Sequence, residues 1–255
     1  MPETQKIPWK RLSAEATAIV ASILLAFAID AWWDNLSTSE DEKESLELIQ
    51  RDLNSAIAQI GTFLDFASNA SQKALSVYAT LSRPGPYDRD QIHRDMLGVD
   101  RKTMRLPRAA YTELLSTGNL RVIRDRELRD AIVRFYARAE LTELIIQKNN
   151  DYVLDTLLYG AYVEDGLLYL HAASSVGFPE VDRAHATINE QLGRDFRHAE
   201  DPMWKYAPDS PQWDKLRSVL INAAITYNIS QNMLNALKDE AMQLETEIIA
   251  WLDAQ

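Results

Sequence analysis

The chain has 255 residues, with 27 Lys and Arg against 38 Asp and Glu, a net charge of −11 and no cysteine. A surface that acidic repels phosphate backbones and disfavours nucleic acid as a partner, while the missing thiols exclude disulfides, thiol catalysis and cysteine metal sites. Only 8 residues are glycine and no Gly-rich loop occurs, so neither a dinucleotide fingerprint nor a P-loop is present.

Residues 9–34, WKRLSAEATAIVASILLAFAIDAWWD, come first and set the solvent for the rest. Fourteen uncharged residues separate Glu15 from Asp30. Extended over residues 12–33, a helix would measure roughly 33 Å at about 1.5 Å per residue, close to a hydrocarbon core of about 30 Å. The reading is a single N-terminal transmembrane helix. Trp9, Lys10 and Arg11 flank it on one side and Trp32 with Trp33 on the other, where indole rings prefer the interface. Glu15 sits an i,i+4 step from Arg11 and Asp30 adjoins the far boundary, which places both where a neighbouring membrane helix could pair with them. The basic residues lie before the span and an acidic run after it. That bias predicts residues 1–11 as a cytoplasmic tail, 12–33 as the membrane helix and 34–255 as an extracytoplasmic domain. Two alternatives stay open. Ala26-Phe27-Ala28 has the small-x-small form of a signal-peptide cleavage site after Ala28, and the uncharged run is short enough for a buried core helix.

Ser39 and Glu42 have the spacing of a capping box and predict a helix start. From there Leu46, Ile49, Leu53, Ala56, Ile60, Phe63, Ala67, Ala70, Ala74, Val77 and Leu81 alternate spacings of three and four, a coiled-coil-like seam that Arg83-Pro84-Gly85-Pro86 ends. Short helices are expected near residues 90–97 and 108–116, a turn at Thr117-Gly118-Asn119, and a second long helix capped by Asp125 and reaching about Tyr159. Its apolar positions drift in phase. Residues 160–211 hold four of the nine prolines and read as an irregular cap with a short helix near 183–192. The last segment returns to order, with Leu216, Leu220, Ala223, Tyr227, Ser230, Leu234, Leu237, Ala241, Leu244, Ile248 and Trp251 as its seam. The expected fold is all-α: the membrane helix followed by an elongated up-and-down helical bundle with an irregular cap, its first and last heptad helices side by side.

The anchor segment together with YTELLSTGNLRVIRDRELRDAIVRFY resembles an uncharacterised family of bacterial proteins with one N-terminal membrane helix and a helical remainder. The resemblance covers about two-thirds of the chain and implies a bacterial inner-membrane location with a periplasmic bundle. It implies no activity, cofactor or catalytic residue.

Chemistry is sparse. Asp90-x-x-His93, Asp182-x-x-His185 and Asp195-x-x-His198 place a carboxylate and an imidazole on one helix face, but with Asp in place of the usual Glu and in the least regular segments. With 38 acidic residues such spacings arise by chance, and no metal or other cofactor is expected. His171 sits among apolar neighbours as a core or cap residue. Asn149 and Asn150 in the middle helix and Asn228, Asn232 and Asn235 in the last could line a polar pocket if the two sets meet, or fix the bundle's register. Arg121, Arg124, Arg126 and Arg129, interleaved with acids, read as a solvated ion-pair face. Three functions are weighed on this basis. The first is a membrane-anchored, non-enzymatic interaction or scaffold protein that touches the bilayer and a membrane or periplasmic partner, or a second copy of itself. The second is a small-ligand-binding sensory ectodomain acting through a separate membrane partner, and the third a metal-dependent enzyme.

Overall fold

The computed structural model describes residues 9–85, 87–96, 98–158, 160, 179–193, 205–207 and 209–254; within these the side chains of 9–16, 18, 31, 34–38, 89–90, 93, 179–182 and 184–185 are not described. All regular structure among the described residues is helical, and no strand occurs there. The elements are α1 (Trp9–Leu81), α2 (Arg89–Met96), α3 (Ala109–Ser116), a 3-10 turn (Asn119–Val122), α4 (Arg126–Asn149) continued by a π-helix (Asn150–Leu158), α5 (Pro179–Leu192) and α6 (Pro211–Asp253). Most of the expected irregular cap lies outside the described residues; α5 covers the short helix expected there.

The long helix does not begin at Ser39. α1 is a single helix of 73 residues, roughly 110 Å at about 1.5 Å per residue. Nothing in its sequence stops it. No proline lies between Pro8 and Pro84, and Gly61, the one glycine inside, faces open space. Its C-terminal half buries every position of the expected seam, from Leu46 to Leu81, at 5% exposure or less.

α6 covers that seam. Its own seam residues from Leu216 to Ile248 are buried, and Trp251 packs half-buried at the end. The pair is antiparallel: Arg217 Nη1 donates to the Leu81 carbonyl at 2.9 Å, Asn228 Nδ2 to Ser71 Oγ at 2.9 Å, and Phe66 meets Tyr227 edge-on at 6.3 Å. Alanines at 67, 70 and 74 on α1, all at 0% exposure, leave room for the close approach. Carried on at this register, Asp253 comes level with about residue 45 of α1. Just N-terminal to that point α1 is still flanked by α3, the 3-10 turn and the start of α4, which reach as far as residues 41–45.

The expected strict up-and-down order needs one correction. α4 starts beside Glu42 at the base of the bundle, where Arg124 bonds to that side chain. Its end lies higher up, where Asn150 reaches the carbonyl of Lys102, whose own ammonium lies 5.5 Å over the Phe66 ring. α4 is therefore parallel to α1. The segment from residue 82 to 125, with α2, α3 and the 3-10 turn, travels back down the whole bundle before α4 begins.

Asp125 caps α4 as its sequence predicts, its Oδ1 accepting from Glu127 N at 2.9 Å and Leu128 N at 3.1 Å. Gly118, at φ 73°, takes the left-handed turn between α3 and the 3-10 turn, a conformation that a Cβ would strain. The π winding of Asn150–Leu158 explains the phase drift of the apolar positions there, since i→i+5 bonding widens each turn.

The expected transmembrane helix of residues 12–33 is not supported as such. Among the described residues no helix is long and apolar enough to cross a membrane. The charge-free run of residues 16–29 measures roughly 21 Å at 1.5 Å per residue, short of a core of about 30 Å.

Candidate interaction surface

The interior charges of this bundle hold the returning segment in place. That segment lacks a continuous apolar stripe, so its backbone polar groups need partners, and carboxylates from the long helices supply them. Asp95 on α2, buried at 3%, accepts from Lys73 Nζ at 2.6 Å and Ser76 Oγ at 2.8 Å. Burial pushes its carboxyl up, but hydrogen bonds from Lys73, Gln91 and Ser76 outweigh that and hold it below the usual carboxylate value. Glu143 of α4, buried at 2%, accepts from the backbone N–H of Leu106 at 2.7 Å and pairs with Arg105 and Arg108. Asp52 of α1 accepts from the N–H of Ala110 at 2.9 Å. Glu42, buried at 1%, accepts from both the backbone N–H of Arg124 at 2.7 Å and its Nε at 2.8 Å. Glu143, Asp52 and Glu42 thus serve as fixed acceptors for backbone N–H groups of the returning segment, whereas Asp95 takes side-chain donors from α1, and each already has its partners.

Two buried hydroxyls among the described residues are left over, those of Tyr136 and Ser210. Tyr136, stacked on Tyr111 at 4.3 Å, has a buried hydroxyl with no hydrogen-bond partner among the described residues. Burial raises its pKa well above the ordinary phenol value, and the nearby Asp52 charge adds to the effect.

The two amide sets do not form a shared pocket. Asn150 Nδ2 donates to the Lys102 carbonyl at 3.1 Å, and Asn149 is half-buried beside it in the chain. Asn228, on the other helix, donates to Ser71 Oγ and to the Ala224 carbonyl at 2.8 Å, while Asn232 and Asn235 are exposed. Asn150 and Asn228 thus act as local ties, and no hydrogen bond joins the two sets among the described residues. Of the arginine run, Arg124 is bound to Glu42, Arg129 to the Ile123 carbonyl at 3.1 Å, and Arg126 lies 3.8 Å from Asp130. The side chains of the Asp90–His93 and Asp182–His185 pairs, the Asp195–His198 pair and His171 fall outside the described residues. Among the described residues no group of three or more His, Asp or Glu could hold a metal ion.

What stands out is the free end of α1. Ile19, Val20, Ile23, Leu24, Leu25, Phe27, Ile29, Trp32 and Trp33 are each 50% to 66% exposed. Trp32 and Trp33 meet each other edge-on at 6.4 Å. At about 100° per residue these nine side chains distribute around the whole helix circumference instead of along one stripe. Together they expose roughly 900 Å² of apolar surface, beyond the few hundred Å² that a monomer in water tolerates. Asp30 is exposed in the same stretch. Trp9, Lys10, Arg11 and Glu15 lie on α1, with side chains outside the described set.

Sequence reasoning found this surface and missed the carboxylate ties. A signal for one of them was present: Glu42 lies four residues before Leu46, in phase with the apolar seam, and a charge in that phase asks for a buried partner.

Compared with protein-family models, curated proteins and solved structures, the chain has no significant match to any.

Proposed function

We propose that this chain is a membrane-tethered, non-enzymatic scaffold. The free end of α1 is immersed in a lipid bilayer, and the bundle stands off the surface as a platform for a membrane or periplasmic protein partner. The observation that carries the reading is an apolar surface running around the full circumference of a helix that continues, without a break, into the bundle core. A groove on a partner covers one face of a helix. Acyl chains cover all of it, and a helix apolar all round belongs in such a surrounding.

The short charge-free run places a demand on this reading. In a slab of about 30 Å, Glu15 and Asp30 each lie about 4 Å inside the boundary, within the reach of a side chain toward the headgroups or of modest local thinning. Trp32 and Trp33 then fall at the interface, where indole rings settle. With basic residues before the run and acidic ones after it, the orientation is N-terminus inside and bundle outside, in a bacterial inner membrane.

The test is extraction of the full-length chain from membranes of the bacterial cells that express it. It should stay with the bilayer through an alkaline carbonate wash and leave only with detergent, whereas a Leu24→Glu/Phe27→Glu variant should appear in the wash. Recovery of the unaltered chain in the wash, as a water-soluble oligomer whose helix ends cover one another, would rule the membrane reading out.

A further inference from the structure

At the bundle end far from Trp32 and Trp33, α1 stops and α6 starts, and between them lies an open hollow of about 650 Å³. Its lining combines an apolar floor with charges of both signs. Leu81 is buried and Ile221 half-buried beneath it, and Tyr78 and Tyr87 form its sides. Tyr87 is itself held by the buried Trp213, their rings 6.0 Å apart.

The charges divide into used and unused. Arg217 is engaged, since it donates to the Leu81 carbonyl at 2.9 Å and pairs with Asp214 across one helical turn. Arg83, past the last turn of α1, and Asp209, just ahead of α6, are both exposed, and their side chains bond to no described residue. Two opposite charges thus stand on the rim of one hollow with no described partner.

A volume of this size falls within the roughly 300 to 1,000 Å³ of small-molecule sites. A guanidinium matches a carboxylate in a two-bond fork, and a carboxylate matches an ammonium. The tyrosine and aliphatic walls suit an apolar or aromatic side chain. We infer that this hollow binds a free α-amino acid with an apolar side chain, its carboxylate on Arg83 and its ammonium on Asp209. The site does not depend on the bilayer reading, because it lies at the opposite end of the bundle.

The experiment is titration calorimetry on the full-length chain in detergent, with L-leucine, L-phenylalanine, phenethylamine and 3-phenylpropionate as probes. At least one of the two amino acids should bind saturably, and both single-charge analogues of phenylalanine should bind at least about tenfold more weakly than it, the loss of one charge-assisted contact. Arg83→Ala should weaken amino-acid binding about tenfold and abolish the preference over phenethylamine. Asp209→Asn should abolish the preference over 3-phenylpropionate. Both side chains are exposed and unbonded, so melting without ligand should not change. Absence of binding by both amino acids, equal binding of all probes, or binding unaltered in the two variants would overturn the assignment. None of those outcomes bears on whether the other end of α1 enters a bilayer.

Discussion

Replacing Glu42 by alanine separates two accounts of one residue. In a capping box, Ser39 and Glu42 would close a helix start together, and removing either would cost about 1 kcal/mol. In the structure both lie deep inside a continuous helix, and the Glu42 carboxylate instead crosses to Arg124, accepting at 2.7 Å from its backbone N–H and at 2.8 Å from its Nε. Alanine leaves that N–H without an acceptor, worth about 1 to 3 kcal/mol. The lost ion pair adds under about 1 kcal/mol, because the Arg124 side chain is 45% exposed and water screens it. The expectation is a loss of about 3 kcal/mol for Glu42→Ala and about 1 for Glu42→Gln, which keeps an acceptor oxygen, with Ser39→Ala within about 0.5 of the unaltered chain. Urea unfolding of the full-length chain in detergent, followed by tryptophan fluorescence, reads these differences, with the buried Trp213 reporting on the bundle. If Ser39→Ala costs as much as Glu42→Ala, or if Glu42→Ala costs under about 1 kcal/mol, the cross-brace is wrong.

Four further outcomes follow from the packing. Tyr136→Phe should raise stability by about 1 kcal/mol, because it removes a buried hydroxyl that bonds to nothing described; a loss of that size on thermal melting would mean the hydroxyl has a partner. The same residue makes the fold sensitive to alkali. Its folded pKa is raised, so its contribution is complete below the unfolded phenol value of about 10 and is lost as pH rises beyond it, a loss the phenylalanine variant should lack. Asp95 has the opposite sign: its folded pKa is lowered below 3.8, so its contribution is present above that value and disappears as pH falls below it. Asp95→Asn should therefore remove part of the acid sensitivity of α2, read by amide exchange over residues 89–96, and unchanged exchange would contradict this. Ala70→Leu should cost about 1 to 3 kcal/mol or more, since residue 70 is fully buried where α1 and α6 approach; a neutral result in urea unfolding would show that the seam has slack.

The α1–α6 pairing was legible because both seams keep alternating spacings of three and four, and ten of the eleven positions on α6 are buried as well as all eleven on α1. Ser230, the polar member, is satisfied locally by the Thr226 carbonyl at 3.0 Å. Continuity of α1 was not legible, since the polar run around residues 37–45 looks like a boundary. Polarity alone does not end a helix that contains no proline and no crowded glycine. The direction of α4 was hidden for a different reason. It depends on the segment of residues 82–125 returning along the bundle, and that segment is held by separate carboxylate and amide ties with no period to read. Asn228, Asn232 and Asn235 share a helix face, as their spacing indicates, but that face lies beside the buried one, so it cannot oppose the amides of α4.

The central claim is that the free end of α1 lies in lipid, and the depth of its tryptophans tests it most directly. The full-length chain would be reconstituted into vesicles containing lipids brominated on the acyl chain, and its fluorescence compared with that of a Trp32→Phe/Trp33→Phe variant. The account predicts quenching of the unaltered chain that falls in the variant to the part Trp9 contributes at the other boundary, because Trp32 and Trp33 sit at the membrane boundary while Trp213 is buried in the bundle. Fluorescence unaffected by brominated lipid would contradict it.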